Sequence, residues 1–193
     1  MTTTKTPAAT DATLTTQEDI VTRPLARKVL AVSRIVIGWT FLWAFLDKLF
    51  GLNFATPSAG AWINGGTPAQ GFISRIEGPF AGFFQIFNNG FGDVFFMFGL
   101  LGIGVAMIAG AGLRIAAVGG TLLMLFMFMA EIPTASAMVD GELVRGSTNP
   151  IVDSHWHEAL LLIIAAVTLA GDTWGLGKWW AAKDVVRKNP WLR

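Results

Sequence analysis

The residues of this chain that could do chemistry are few, and most sit at the margins of apolar sequence. Histidine occurs only twice, in the run His155-Trp156-His157-Glu158. An imidazole titrates near neutral pH and can carry protons or ligate a metal. The metalloprotease spacing is absent, because position 161 is Leu where a second histidine is required. On a helix, residues two apart do not share a face, so the two imidazoles would not converge on one ion and no metal is expected. The run reads either as a pair marking the start of a helix or as a proton-exchanging site. No Ser/His/Asp constellation, phosphate loop or dinucleotide fingerprint is present. The clusters Gly102-Ile103-Gly104 and Gly110-Ala111-Gly112 lack the third glycine and the preceding strand.

The other candidates are charges next to or inside long apolar runs, where an ionisable side chain is costly and marks function by default. Asp47, Lys48, Asp93, Glu131, His155, His157 and Glu158 sort toward one face of the membrane, and Arg34, Arg114 and Asp172 toward the other. Arg34, Gly38, Phe41, Phe45 and Lys48 fall within about 40° of one helical stripe, whereas Asp47 points elsewhere. The two cations would stand roughly 21 Å apart along the axis. Glu131 and Glu158 are the expected partners of Lys48, and Asp172 that of Arg34. The arrangement reads equally as ion pairs closing a bundle or as a polar pocket that binds an anion or moves protons.

The elements that would carry these groups are helices in lipid. Of 193 residues, 53% are hydrophobic and only 14% charged, with mean hydropathy +0.55. A soluble domain carries about a quarter charged residues, so the solvent here is a bilayer. Apolar spans at about Val29–Phe50, Asp93–Gly112, Ile115–Ile132 and Trp156–Trp174 predict an all-α membrane protein, a bundle of four transmembrane helices. The fourth has a short apolar centre, Ala159–Gly171, with Trp156 and Trp174 as interfacial anchors. Lys and Arg cluster before the first span, in the second connection and in the tail, which places both termini in the cytoplasm. Residues 1–26 read as a disordered cytoplasmic tail without a signal peptide. The transmembrane domain occupies 27–175, and 176–193 form a basic, Trp-rich cytoplasmic tail. The chain has no cysteine and a net charge of +1, which exclude thiol chemistry and give no ground for nucleic-acid binding.

Two further patterns bear on packing. Gly102, Ala106 and Gly110, followed by Gly112, Ala116 and Gly120, form small-residue ridges suited to close helix contact, within the bundle or in a homo-oligomer. The long first connection, Gly51 to Gly92, holds Phe80, Phe83, Phe84 and Phe87 on one helical face. This predicts an interfacial amphipathic helix, either lying on the outer leaflet or lidding a pocket.

On these residues the chain resembles the DoxX/DoxD family of small bacterial membrane proteins. The resemblance rests on Arg34…Gly38-Trp39…Phe45-Leu46-Asp47-Lys48-Leu49, on Gly99-Leu100-Leu101-Gly102…Gly112-Leu113-Arg114-Ile115-Ala116-Ala117, and on Asn149-Pro150…His155-Trp156-His157-Glu158-Ala159-Leu160. It covers roughly Lys28 to Trp180. It implies location in the bacterial cell membrane, a protein partner subunit, and a quinone as cofactor of a thiosulfate:quinone oxidoreductase. No catalytic motif carries over, so the site residues rest on the charge argument. Lys48, with Arg75, would attract the anion; Glu131, His157 or Glu158 would handle protons; Arg34, Phe41 and Phe45 would surround the quinone. The alternative is a non-catalytic anchor or scaffold for a redox or detoxification enzyme. A small transporter fits less well, since the spans show no pair of interrupted helices.

Overall fold

Most ends of the long helices are set by the residues found there. In the computed structural model, which describes residues 14–132, 138–139, 142–143, 149 and 151–193, the first long helix is α2 (Pro24–Phe50). It begins with Pro24 in the first turn and ends at Gly51, whose left-handed conformation returns its N–H to the Asp47 carbonyl. α5 (Gly90–Ala109) is capped by the Asn89 side chain, which accepts from the Gly92 N–H at 3.1 Å, and it ends on left-handed Gly110. Two residues later Gly112, also left-handed, starts α6 (Leu113–Ala130). α7 (Ser154–Val167) begins at Asp153, whose carboxylate accepts from the His155 N–H at 3.0 Å.

The four long helices run up, down, up and down. α2 packs on α5, α5 on α6, α6 on α7, and α7 closes the ring against α2. The core between them holds Ile37, Phe41, Phe45, Met97, Met107 and Leu162. Where α2 crosses α5 the backbones nearly touch. A Cβ on Gly38 would lie 2.9 Å from the Ile108 nitrogen, and one on Gly104 would lie 2.7 Å from the Leu42 nitrogen. Close approach of this kind strengthens van der Waals packing where lipid removes the hydrophobic drive between helices. Gly102, expected on the packing ridge, instead faces open space, with nothing within 4 Å of a Cβ placed there.

α2, α5 and α6 are each long and apolar enough to cross a membrane. Their outward surfaces carry Val32, Val36, Phe95, Phe98, Val118 and Leu122, all exposed, the surface expected against lipid tails. α7 is shorter than the span expected over Trp156–Trp174. It stops at Val167, and after Leu169 turns left-handed (φ 49°) the chain continues as a 3-10 turn, Ala170–Asp172.

The smaller elements gather at the two ends of the bundle. At the near end, where the described chain begins and where Arg193 lies, a helical turn α1 (Gln17–Ile20) docks with Gln17 fully buried, rather than forming part of a loose tail up to residue 26. The short helices α8 (Gly177–Ala181) and α9 (Asp184–Lys188) follow α7 there. At the far end the first connection folds into α3 (Pro68–Ile73) and α4 (Ala81–Phe84), with 3-10 turns at Ser58–Gly60, Trp62–Asn64 and Gln85–Phe87. The expected phenylalanine helix is thus one turn of α-helix and one of 3-10. Its aromatic face is real, however: Phe83, Phe84 and Phe87 ring Phe126 of α6 at 5.8–6.3 Å between centroids. Apart from a two-residue antiparallel pairing of Met138–Val139 with Glu142–Leu143, the regular elements among the described residues are helical. Residues 1–13 and Pro150, to which the sequence reading gave parts, lie outside the described residues.

Candidate functional site

The near end is built around Arg34, which is fully buried. Its expected partner was Asp172, yet the guanidinium binds backbone carbonyls and no carboxylate. It donates to Ile108 at 2.7 Å, to Trp174 at 3.1 Å, to Ala170 at 3.2 Å and to Thr173 at 3.5 Å, and also to Met107. Met107 and Ile108 lie in the last turn of α5, where carbonyls lack intrahelical donors. Ala170, Thr173 and Trp174 belong to the irregular stretch after α7. Five donors in a rigid fork can serve both sets at once, so Arg34 caps α5 and solvates the broken end of α7 together. Non-helical backbone at membrane depth persists only where protein supplies such partners.

Asp172 is bound elsewhere. It accepts from the Gln17 N–H at 2.9 Å and pairs with the Arg193 guanidinium at 2.8 Å, both side chains nearly buried. Gln17 in turn accepts from the Thr173 hydroxyl at 2.6 Å, and the Trp180 indole donates to the Leu192 carbonyl at 2.9 Å. Gln17 and Arg193 are therefore locked onto the same turn.

At the far end two buried carboxylates also do structural work. Asp47 accepts from the Phe54 and Ala55 N–H groups at 3.3 and 3.0 Å, holding the chain that leaves α2. Asp93 accepts from the Ala69 and Gln70 N–H groups at 2.8 and 3.2 Å. It thereby caps α3 from 24 residues away, where Thr67 makes no side-chain cap.

What remains at the far end is a looser polar set. Lys48 is half-buried, with its ammonium 5.9 Å from the centre of the Phe96 ring. It makes no ion pair among the described residues, so the expected pairing with Glu131 or Glu158 is not formed. Glu131, at the end of α6, is instead drawn to the start of α7. Its carboxylate, that of Asp153 and the His155 ring offer ligand atoms all within 4.8 Å of one another. His155 Nδ1 lies 2.8 Å from Asp153 Oδ2. Glu158, half-buried one turn further along α7, is within electrostatic range of both. His157 is exposed on another face of the helix, as its spacing from His155 requires. Arg75 is exposed on the first connection.

Phe41 and Phe45, expected around a quinone ring, are packed into the core with 2% and 8% of their surfaces exposed. A ring could reach them only by displacing core side chains. An apolar space exists instead on the outer face between α5 and α6, with a volume of about 500 Å³. Its floor is Gly99, Gly102 and Gly119, where added Cβ atoms would meet nothing within 4 Å. Phe126 borders it toward the far end and Trp180 toward the near end. Its size and its almost wholly apolar lining suit an isoprenoid or acyl chain.

Sequence reasoning named Glu131, Glu158, Lys48 and the stripe of α2 as candidates, gave His155 no partner and did not name Asp153. The signal for Asp153 was available: an Asp immediately before a helical run is an N-cap. The groove had no such signal, since its glycines read as helix-packing residues. No family model, no curated protein and no solved structure matches this chain.

Proposed function

We propose that this protein is an integral-membrane subunit of a quinone-linked oxidoreductase of DoxX/DoxD type, acting on thiosulfate or a related sulfur anion. The observation that carries the reading is the unequal state of the charges at the two ends. At the near end the Arg34 guanidinium is held by carbonyls, and the Asp172 carboxylate by the Gln17 amide and the Arg193 guanidinium. At the far end Lys48, Glu158 and His157 make no ion pair among the described residues. Ionisable groups kept at a membrane face without structural partners are the ones left for chemistry.

In this reading the chain crosses the bilayer four times and the near end is cytoplasmic, because Arg27, Lys28, Arg114, Lys178 and Lys183 gather there. α7 alone is about 21 Å long at ~1.5 Å per residue, short of a hydrocarbon core of roughly 30 Å. The stretch through Trp174 completes the crossing, its carbonyls served by Arg34. Lys48, half-shielded by Phe96, attracts an anion more strongly than a fully solvated lysine would. Glu158 and His157 accept or deliver protons at the outer face. The α5–α6 groove holds an isoprenoid chain, and a quinone, when bound, supplies a sink for two electrons and two protons. Two thiosulfate anions release those electrons as a sulfur–sulfur bond forms between them.

The test is thiosulfate-dependent reduction of a short-chain quinone by the protein reconstituted in lipid, alone and with membrane extract supplying a partner. Turnover that falls at least tenfold in Lys48→Ala supports the proposal. Absence of turnover under both conditions refutes it.

A second reading, a non-catalytic anchor for a redox enzyme, is favoured by one observation. Arg34 and Asp47 are held by backbone groups, Asp93 by backbone groups and the Gln70 side chain, and Phe41 and Phe45 are buried in the core, so the stripe of α2 serves packing. That reading predicts co-purification with a soluble partner that survives Lys48→Ala and Glu158→Gln.

A further inference from the structure

We propose that Glu131, Asp153 and His155 form a binding site for a divalent d-block cation that clips the end of α6 to the start of α7. The site is independent of the oxidoreductase reading. Two of its three ligands are held by backbone structure. Asp153 is the N-cap of α7, with one carboxylate oxygen on the His155 N–H at 3.0 Å, and His155 is in the first turn with its ring 2.8 Å from the other oxygen. Their side chains are only 9% and 14% exposed. The third ligand, Glu131, is exposed and terminates α6, so it can adjust. The ligand atoms already lie within 4.8 Å of one another; closing onto one ion at about 2.0–2.2 Å per bond draws Glu131 inward and exchanges the 2.8 Å His155–Asp153 hydrogen bond for two metal bonds.

Charge supplies a second argument. Glu131, Asp153 and, one turn away, Glu158 gather beside the C-terminal end of α6, which carries the negative pole of that helix. No lysine or arginine among the described residues forms an ion pair with any of the three. A divalent cation would neutralise this concentration of like charge. An imidazole nitrogen among the ligands selects zinc-like ions over calcium or magnesium, which prefer oxygen throughout. The ligands stand on either side of the connection between residues 131 and 153, so the ion would close that connection as a cross-link does.

Zinc titration of the full-length protein in detergent, followed by calorimetry and by thermal unfolding, tests the site. The expected result is one equivalent bound and a raised melting temperature, with magnesium and calcium giving neither. His155→Ala and Glu131→Gln should each weaken zinc by more than about 100-fold, since even partners outside the ligand shell are worth about 10–100-fold. His157→Ala should keep zinc at wild-type affinity. Glu131 is exposed, so Glu131→Gln is expected to fold without metal and separates lost binding from lost structure. Cobalt in place of zinc should give a visible absorption band that His155→Ala abolishes. No stoichiometric zinc on the wild type, or binding untouched by His155→Ala and Glu131→Gln, overturns the proposal.

Discussion

Replacing Arg34 by methionine keeps the apolar stem of the side chain but removes the guanidinium with all five donors. Four of its bonds, to Met107, Ile108, Trp174 and Ala170, are close, and the fifth, to Thr173 at 3.5 Å, is long. A hydrogen bond to a charged group contributes about 1.5–3 kcal/mol, and each buried carbonyl left without a donor costs about 1–3 kcal/mol. These contributions overlap, and removing a buried charge returns part of its desolvation cost. The net loss should be about 3–5 kcal/mol. Arg34→Lys keeps the charge but not the fork, so it should recover only part of that loss. Unfolding in detergent micelles should show the methionine variant melting about 6–20 °C lower, taking roughly 2–4 °C per kcal/mol for a chain of this size. Hydrogen exchange should accelerate first at 169–176, where the carbonyls lose their donor. If Arg34→Met melts with the wild type and that stretch exchanges no faster, the guanidinium is not the cap described here.

The glycine contacts make a paired prediction. Gly38→Ala and Gly104→Ala should each push α2 from α5 and cost about 1–3 kcal/mol by overpacking, whereas Gly102→Ala, facing open space, should be near neutral; detergent melting curves compare all three. Asp93→Ala should uncap α3 at a cost of about 0.5–2 kcal/mol, read as faster exchange at Ala69 and Gln70. A bulky residue at Gly102 or Gly119 should fill the α5–α6 groove, and the purified variant should carry less bound lipid or quinone by mass spectrometry, with its melting temperature unchanged.

Much of the architecture is legible in the sequence because hydropathy and small-residue stops act locally. Gly51, Gly110 and Gly112 end or start helices where the apolar runs end, and the stripe from Arg34 to Phe45 is buried as its spacing requires. The partners of Arg34 are not legible. Charge-pairing logic searches for carboxylates, while the acceptors are carbonyls whose availability depends on where α5 and α7 stop. The stop of α7 is itself tertiary. Thr168, Leu169 and Ala170 continue an apolar run without Pro or Gly. The helix breaks where Gly171 packs against Gly110, so closely that an added Cβ would lie 2.1 Å from the Gly110 oxygen. The Glu131–Asp153–His155 group escapes sequence reading for a related reason. Its members come from two helices separated by a long connection, and no fixed spacing announces them.

The proposed oxidoreductase function depends on the bundle crossing the membrane four times, with Lys48, Glu158 and His157 on the face opposite Lys28 and Lys178. The cysteine-free chain permits a direct measurement: single cysteines at positions 67, 157, 28 and 178, labelled in intact cells with a membrane-impermeant maleimide and again after lysis. The account predicts labelling of 67 and 157 in intact cells, and of 28 and 178 only after lysis. Labelling of 157 and 178 from the same side would mean that α7 dips into the bilayer without crossing it, and would contradict the account.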